Sequence, residues 1–139
     1  MIKLAVKIRI IVEVYPTEEE ERVLQAIKNV VSYNNLEQKK VTVLGNNTKR
    51  IIFEGLLISL SKLKTKIAIK RIQEHVRNFL LKNTTQNSSY LFLNKQAAYA
   101  GNVALCETRN ESPLGPITIE LIAEDSDELY SAIVWLTEG

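Results

Sequence analysis

The sequence predicts an α+β fold, a mixed or antiparallel sheet with helices packed on one of its faces. Three observations predict it. Leu4, Val6, Ile8, Ile10, Val12 and Val14 fall at every second position with Lys7, Arg9 and Glu13 between them, the period of a half-buried strand. Three segments, after Pro16, after Gly55 and after Asp125, carry apolar residues at helical spacing. Short strand-like runs separated by Asn, Gly and Pro fill the remainder. With 139 residues, 45% of them hydrophobic and 24% charged, and no repeat, linker or composition boundary, residues 1–139 are expected to form one domain around one core.

The elements follow in order. Tyr15-Pro16 ends the first strand, and Thr17 with Glu20 three residues later has the spacing of a capping box. The helix it starts runs to about Ser32 on an apolar stripe of Leu24, Ile27, Val30 and Val31. Val41 to Leu44 and Arg50 to Glu54 read as a hairpin around Gly45-Asn46-Asn47-Thr48, residues that tolerate positive φ. Beyond Gly55 the stripe Leu56, Leu60, Leu63, Ile67 is half a turn out of phase with Ile69, Ile72, Val76, Phe79, so a break is placed near Thr65. That break separates Lys62 and Lys64 from the second helix, whose polar arc holds Lys66, Lys70, Arg71, Glu74, Arg77 and Asn78. Strands at Tyr90 to Asn94 and Asn102 to Cys106 flank a loop that begins at Lys95. A Pro- and Gly-containing loop over residues 109–116 leads to a strand at Ile117 to Leu121, and Asp125-Ser126 cap a last helix that buries Leu129, Ile133, Trp135 and Leu136.

The chemistry-bearing inventory is thin, and no catalytic or metal-binding residue is assigned. One histidine, His75, and one cysteine, Cys106, supply neither a disulfide framework nor a Cys-rich zinc site. The carboxylates gather at helix starts, over Glu18 to Glu21 and Glu124 to Glu128, where the helix dipole accounts for them. No glycine-rich phosphate loop occurs, so no cofactor and no small-molecule substrate is expected. The charged residues of the first strand interrupt any signal-like apolar run, which points to a cytoplasmic protein without a membrane partner.

The charge distribution is more informative. Between Lys39 and Arg109 the chain holds 13 basic and 3 acidic residues, a net +10, while the flanks hold 5 basic and 13 acidic residues, a net −8. A basic face of that strength attracts polyanions even when the whole chain is nearly neutral. Tyr90, Phe92 and Tyr99 offer rings on which bases can stack. Solubility alone also accounts for such a face.

The run Leu93-Asn94-Lys95-Gln96-Ala97-Ala98-Tyr99-Ala100-Gly101, with Leu114-Gly115-Pro116-Ile117, Trp135-Leu136 and Tyr15-Pro16-Thr17-Glu18, resembles a small archaeal family of uncharacterised proteins. That family carries an RNA-binding label and has exosome-associated relatives. The resemblance covers nearly the whole chain and implies a fold similar to that of the fifth large-subunit ribosomal protein, a homodimer, and no enzymatic activity. It also implies ligand contact at Lys95 and Gln96. The combined expectation is a non-catalytic RNA-binding domain using Lys66, Lys70, Arg71, Arg77 and Lys95 on phosphates, with Gln96 and Tyr99 for a hydrogen bond and a stack. The alternative is a homodimeric scaffold without a nucleic-acid ligand, paired through the outer sheet face with Ile11 and Tyr15.

Overall fold

The computed structural model describes residues 6–138, so Lys3 and Leu4 of the expected opening strand lie outside the described residues. Strand β1 (Lys7–Val14) leads into helix α1 (Glu20–Val30), the hairpin β2 (Glu37–Val43) and β3 (Lys49–Leu56), and helices α2 (Ser61–Lys70) and α3 (Gln73–Lys82). Then come β4 (Ser88–Leu93), the short helix α4 (Lys95–Tyr99), β5 (Leu105–Cys106), β6 (Ile117–Ile122) and α5 (Ser126–Thr137). The strands form one six-stranded sheet in the order β2-β3-β1-β6-β4-β5. Every neighbouring pair is antiparallel.

Alternation along the strands decides which face is covered. Ile8, Ile10, Val12 and Val14 of β1 are buried together with Ile51 and Phe53 of β3, Leu91 and Leu93 of β4, and Ile117, Ile119 and Leu121 of β6. Against them pack Val23, Ile27 and Val30 of α1, Leu63 and Ile67 of α2, Val76 and Leu80 of α3, and Leu129, Ile133 and Leu136 of α5. Among the described residues the opposite face of the sheet carries no α-helix, and its Lys7, Arg9, Ile11 and Glu13 remain partly or fully exposed. The expected α+β arrangement with helices on one face is therefore the observed one.

The hairpin turns through Asn46 and Asn47 at φ 65° and 63°, the left-handed conformation for which Asn is suited. Its two strands are longer than the apolar pattern indicates because β2 is an edge strand whose residues are nearly all exposed. A bulge between Gln38 and Lys40 interrupts its ladder. At the other end Asp125 caps α5, its side chain accepting from the Glu128 amide at 2.8 Å.

Four local expectations are corrected. The capping box does not form: α1 starts at Glu20 after an Ncap Glu19 without a side-chain bond, and the Glu18 carboxylate instead accepts from the Tyr15 amide at 2.9 Å. The strand expected over Asn102 to Cys106 shrinks to Leu105–Cys106. The loop at Lys95 is a helix whose start is capped by Asn94 accepting from the Ala97 amide. The break near Thr65 lies instead at Arg71, because Ile69, read as part of the second buried stripe, is 76% exposed. Arg71 adopts φ 59°, ψ 41°, with its amide on Ala68 O and the Ile72 amide on Ile67 O. This is a Schellman closure with arginine where glycine is usual, so no residue type announced it.

Candidate nucleic-acid interface

Moving the break to Arg71 returns Lys62 to the same helix as Lys66 and Lys70. At four-residue spacing the three side chains rise about 6 Å apart along one side of α2. All three ammonium groups end on main-chain carbonyls: Lys62 donates to Lys28 O at 2.8 Å, Lys66 to Gly101 O at 2.9 Å and Lys70 to Val103 O at 2.7 Å. Two of these acceptors lie at helix ends, Lys28 in the last turn of α1 and Gly101 just after α4, where partial negative charge favours cations. A carbonyl fixes the position of an ammonium group without cancelling its charge, and each group keeps further donors. Arg71 follows directly, exposed, and Lys28 stands close by with its ammonium 5.1 Å from the centre of the Tyr33 ring. The result is a row of cations in which the three lysines bond to carbonyl oxygens rather than carboxylates.

The other expected site residues divide differently. Arg77 lies on α3 and is turned toward α5, where Nε donates to Thr137 Oγ1 and Nη2 to Thr137 O, both at 2.9 Å. It closes the C-terminal end of α5 and does not join the lysine row. Lys95 is 0% exposed. Its ammonium donates to Glu13 O and Leu114 O at 2.7 Å each and to the Glu18 carboxylate at 3.0 Å, and it sits 5.7 Å from the centre of the Tyr15 ring. Burial holds its pKa below the ordinary lysine value, with Glu18 opposing. A lysine with every donor used and no exposed surface is a structural tie between β1, the turn before α1, α4 and the 109–116 loop, so the surface role expected for it is corrected.

Beside that tie, the Tyr99 hydroxyl donates to the second Glu18 oxygen at 3.0 Å, and its pKa is pushed up to about 12 by burial and by the Glu18 charge. The Arg22 guanidinium lies 5.5 Å from the centre of its ring. Gln96 is exposed and, with Thr17, Arg22 and Tyr99, borders a hollow of about 190 Å³. Asn29 donates to Ala98 O and Tyr99 O and so fixes the end of α4 against α1. The structure thus brings Lys66, Lys70 and Arg71 together and places Gln96 and Tyr99 on the neighbouring α1–α4 surface. Arg77 and Lys95 are held elsewhere. The sequence reading set Lys62 apart through the break placed near Thr65 and missed Lys28; the four-residue interval Lys62, Lys66, Lys70 was the signal that would have kept the former in the row.

His75 is exposed and pairs with Glu107 at 3.3 Å. Cys106 is buried, and burial pushes its thiol pKa up, away from reactivity.

A family model described as RNA binding matches residues 7–123. A UPF0201 protein of Sulfurisphaera tokodaii is 40% identical over 132 residues, 94% of this chain and 86% of that protein. The chain belongs to the UPF0201 family. A second UPF0201 protein, from Methanopyrus kandleri, is 35% identical over 126 residues, 88% of this chain and 79% of its own length. The crystal structure of the UPF0201 protein from Methanococcus jannaschii matches with a TM-score of 0.79 at 25% identity, over 94% of this chain and 98% of that one. A protein of Methanothermobacter thermautotrophicus shares the fold at a TM-score of 0.61 and 20% identity, over 96% of this chain and 98% of that one. Membership in this archaeal family, whose model carries the RNA-binding description, is what the resemblance in the sequence implied. Among the described residues no helix is long and apolar enough to cross a membrane.

Proposed function

We propose that this UPF0201 chain is a non-catalytic RNA-binding module that holds the phosphate backbone along α2, through Lys62, Lys66, Lys70 and Arg71. The observation that carries the reading is the partner set of the three lysines. Elsewhere cations face carboxylates, as Arg9 does with Glu54 and Glu120, Lys49 with Glu20 and Arg50 with Glu13. Lys62, Lys66 and Lys70 have carbonyls instead, so their charge remains available to a polyanion while their position is fixed. The family description supports the same ligand class. Gln96 and the Tyr99–Arg22 pair, on the α1–α4 surface, are the groups placed to meet a base or ribose beyond the phosphate row. A row of ammonium groups reads charge and spacing rather than sequence, so discrimination between RNA sequences is weak in this reading.

The test is fluorescence anisotropy with a labelled structured RNA. Lys66→Gln with Lys70→Gln is expected to weaken binding by about tenfold, while Lys49→Gln, whose partner is Glu20, leaves it unchanged. Unfolding midpoints measured alongside separate this from a role in which the lysines only tie α2 to the 101–103 segment. Undetectable binding by the folded wild-type chain, or equal affinity in the double variant, contradicts the proposal.

A further inference from the structure

The hollow of about 190 Å³ between the start of α1, α4 and the 109–116 loop has a fixed floor and a free rim. Its floor is Glu18, whose side chain is 5% exposed and whose carboxylate oxygens are taken by the Lys95 ammonium and the Tyr99 hydroxyl, each at 3.0 Å. Its rim is made of four exposed side chains, Thr17, Glu19, Arg22 and Gln96. Among the described residues none of the four makes a side-chain hydrogen bond or ion pair. Glu19 stands at the N-cap of α1 without capping it, and Arg22 rests on the Tyr99 ring with its N–H donors unused. Leu114 adds an apolar wall, 37% exposed at φ 62°. That left-handed conformation is unfavourable for a leucine side chain, and the Lys95 bond to the Leu114 carbonyl holds it there.

We infer that this hollow takes one guanine base, presented by an unpaired nucleotide of the bound RNA. Lys95 offsets Glu18 and Arg22 offsets Glu19, so the site is neutral while it holds a free carboxylate and a free guanidinium three positions apart at the start of α1. A phosphate would meet carboxylates here, whereas a neutral ring with a donor edge and an acceptor edge matches both groups. Guanine is the RNA base with that pattern. Its N1–H and N2–H₂ donors suit a carboxylate, while O6 and N7 accept from a guanidinium, the commonest specific contact of arginine with a base. Adenine and cytosine present one amino donor beside an acceptor, and uracil one N–H between two carbonyls, so each sets an acceptor against Glu19. Gln96 and Thr17 remain for ribose hydroxyls, and Leu114 and the Tyr99 ring for the faces of the base. The hollow is smaller than the roughly 300–1,000 Å³ of sites that enclose a drug-sized ligand, which suits one base and leaves its phosphates outside. The route from the lysine row is short. Arg22 lies about 9 Å along α1 from Lys28, whose carbonyl holds Lys62, and Gln96 lies in α4, just beyond whose end the Gly101 carbonyl holds Lys66. The inference rests on the RNA-binding reading for the source of the base, and it adds what the phosphate row does not supply, recognition of one base type.

Two measurements separate the base from the strand. In heteronuclear NMR of the full chain with each of the four nucleosides, guanosine is expected to shift the Gln96 side-chain amide and Arg22 Nε–H signals, and adenosine, cytidine and uridine to leave them in place. In fluorescence anisotropy with labelled single strands that alternate uridine with guanosine, adenosine or cytidine, the guanosine strand is expected to bind about tenfold tighter than the others. Inosine in place of guanosine, which lacks the N2 amino group, and Glu19→Gln, at a position without a cap bond, are each expected to remove most of that preference. A purely structural effect of Glu19→Gln lowers affinity for all three strands alike, so the ratio between strands isolates base recognition. Equal affinity for the three strands, or a guanosine preference that survives both changes, overturns the inference and leaves the phosphate row standing. Guanosine shifts without binding of any strand assign the hollow to a free guanine nucleotide and overturn the RNA-binding reading instead. No shifts and no bound strand overturn both.

Discussion

Lys95 is the residue on which most of the local architecture converges. An ammonium group without exposed surface is tolerated because two carbonyls and the Glu18 carboxylate take all its donors. Lys95→Met leaves Glu18 buried without its counter-charge and is expected to lower unfolding free energy by about 3–5 kcal/mol. Lys95→Met with Glu18→Gln removes both charges and is expected to recover much of that loss, and urea denaturation of the three proteins measures the difference. Tyr99 adds a pH signature. Its folded pKa of about 12 exceeds the ordinary 10.0, so the unfolded chain loses the phenolic proton first. The stabilisation this represents is complete below pH 10 and is lost as pH rises toward 12. Lys95 acts in the opposite sense, since its folded pKa is depressed and stability from that group rises with pH up to its ordinary value of 10.5. Tyr99→Phe is expected to remove the loss on the tyrosine side, so its stability should fall less than wild type between pH 10 and 12 in thermal unfolding.

At the scale of elements, the junction of α2 and α3 separates stability from function. A non-glycine residue in the left-handed conformation costs about 1–2 kcal/mol, and Arg71 occupies such a position while exposed. Arg71→Gly is expected to be neutral or stabilising, by up to about 1 kcal/mol after glycine's own entropy cost, and to weaken RNA binding. Opposite signs in the melting and binding measurements identify a residue retained for a ligand, and a loss in both identifies a structural one. The same junction explains where the sequence was legible. Strand β1, the Asn46-Asn47 hairpin and the Asp125 cap were readable because each depends on local period or local turn chemistry. The α2 boundary was not, because its closure uses arginine in place of glycine and because Ile69 is an apolar residue facing solvent. Lys95 was misplaced for a related reason: a lysine beside a turn-like run reads as surface, and its burial depends on Glu18 and Leu114, which lie 77 and 19 positions away.

For the whole molecule, the sheet separates two differently charged surfaces. The helix layer presents the lysine row of α2, and on the bare sheet face Arg9, Arg50 and Arg109 pair with Glu54, Glu120 and Glu13. The basic excess between Lys39 and Arg109 is therefore only partly a polyanion surface. Arg50 and Arg109 are drawn to Glu13 and Lys95 to Glu18, which lets the acidic N-terminal flank neutralise part of the basic middle. The row on α2 is among the charge that survives neutralisation, and the RNA-binding account rests on it. Counterion release gives its most direct measurement: the slope of log affinity for RNA against log salt, for wild type and for the Lys62→Gln, Lys66→Gln, Lys70→Gln triple variant. The account predicts a steep decline for wild type and a slope shallower by about 2–3 in the triple variant. Identical slopes in two folded proteins, or affinity indifferent to salt, contradict it.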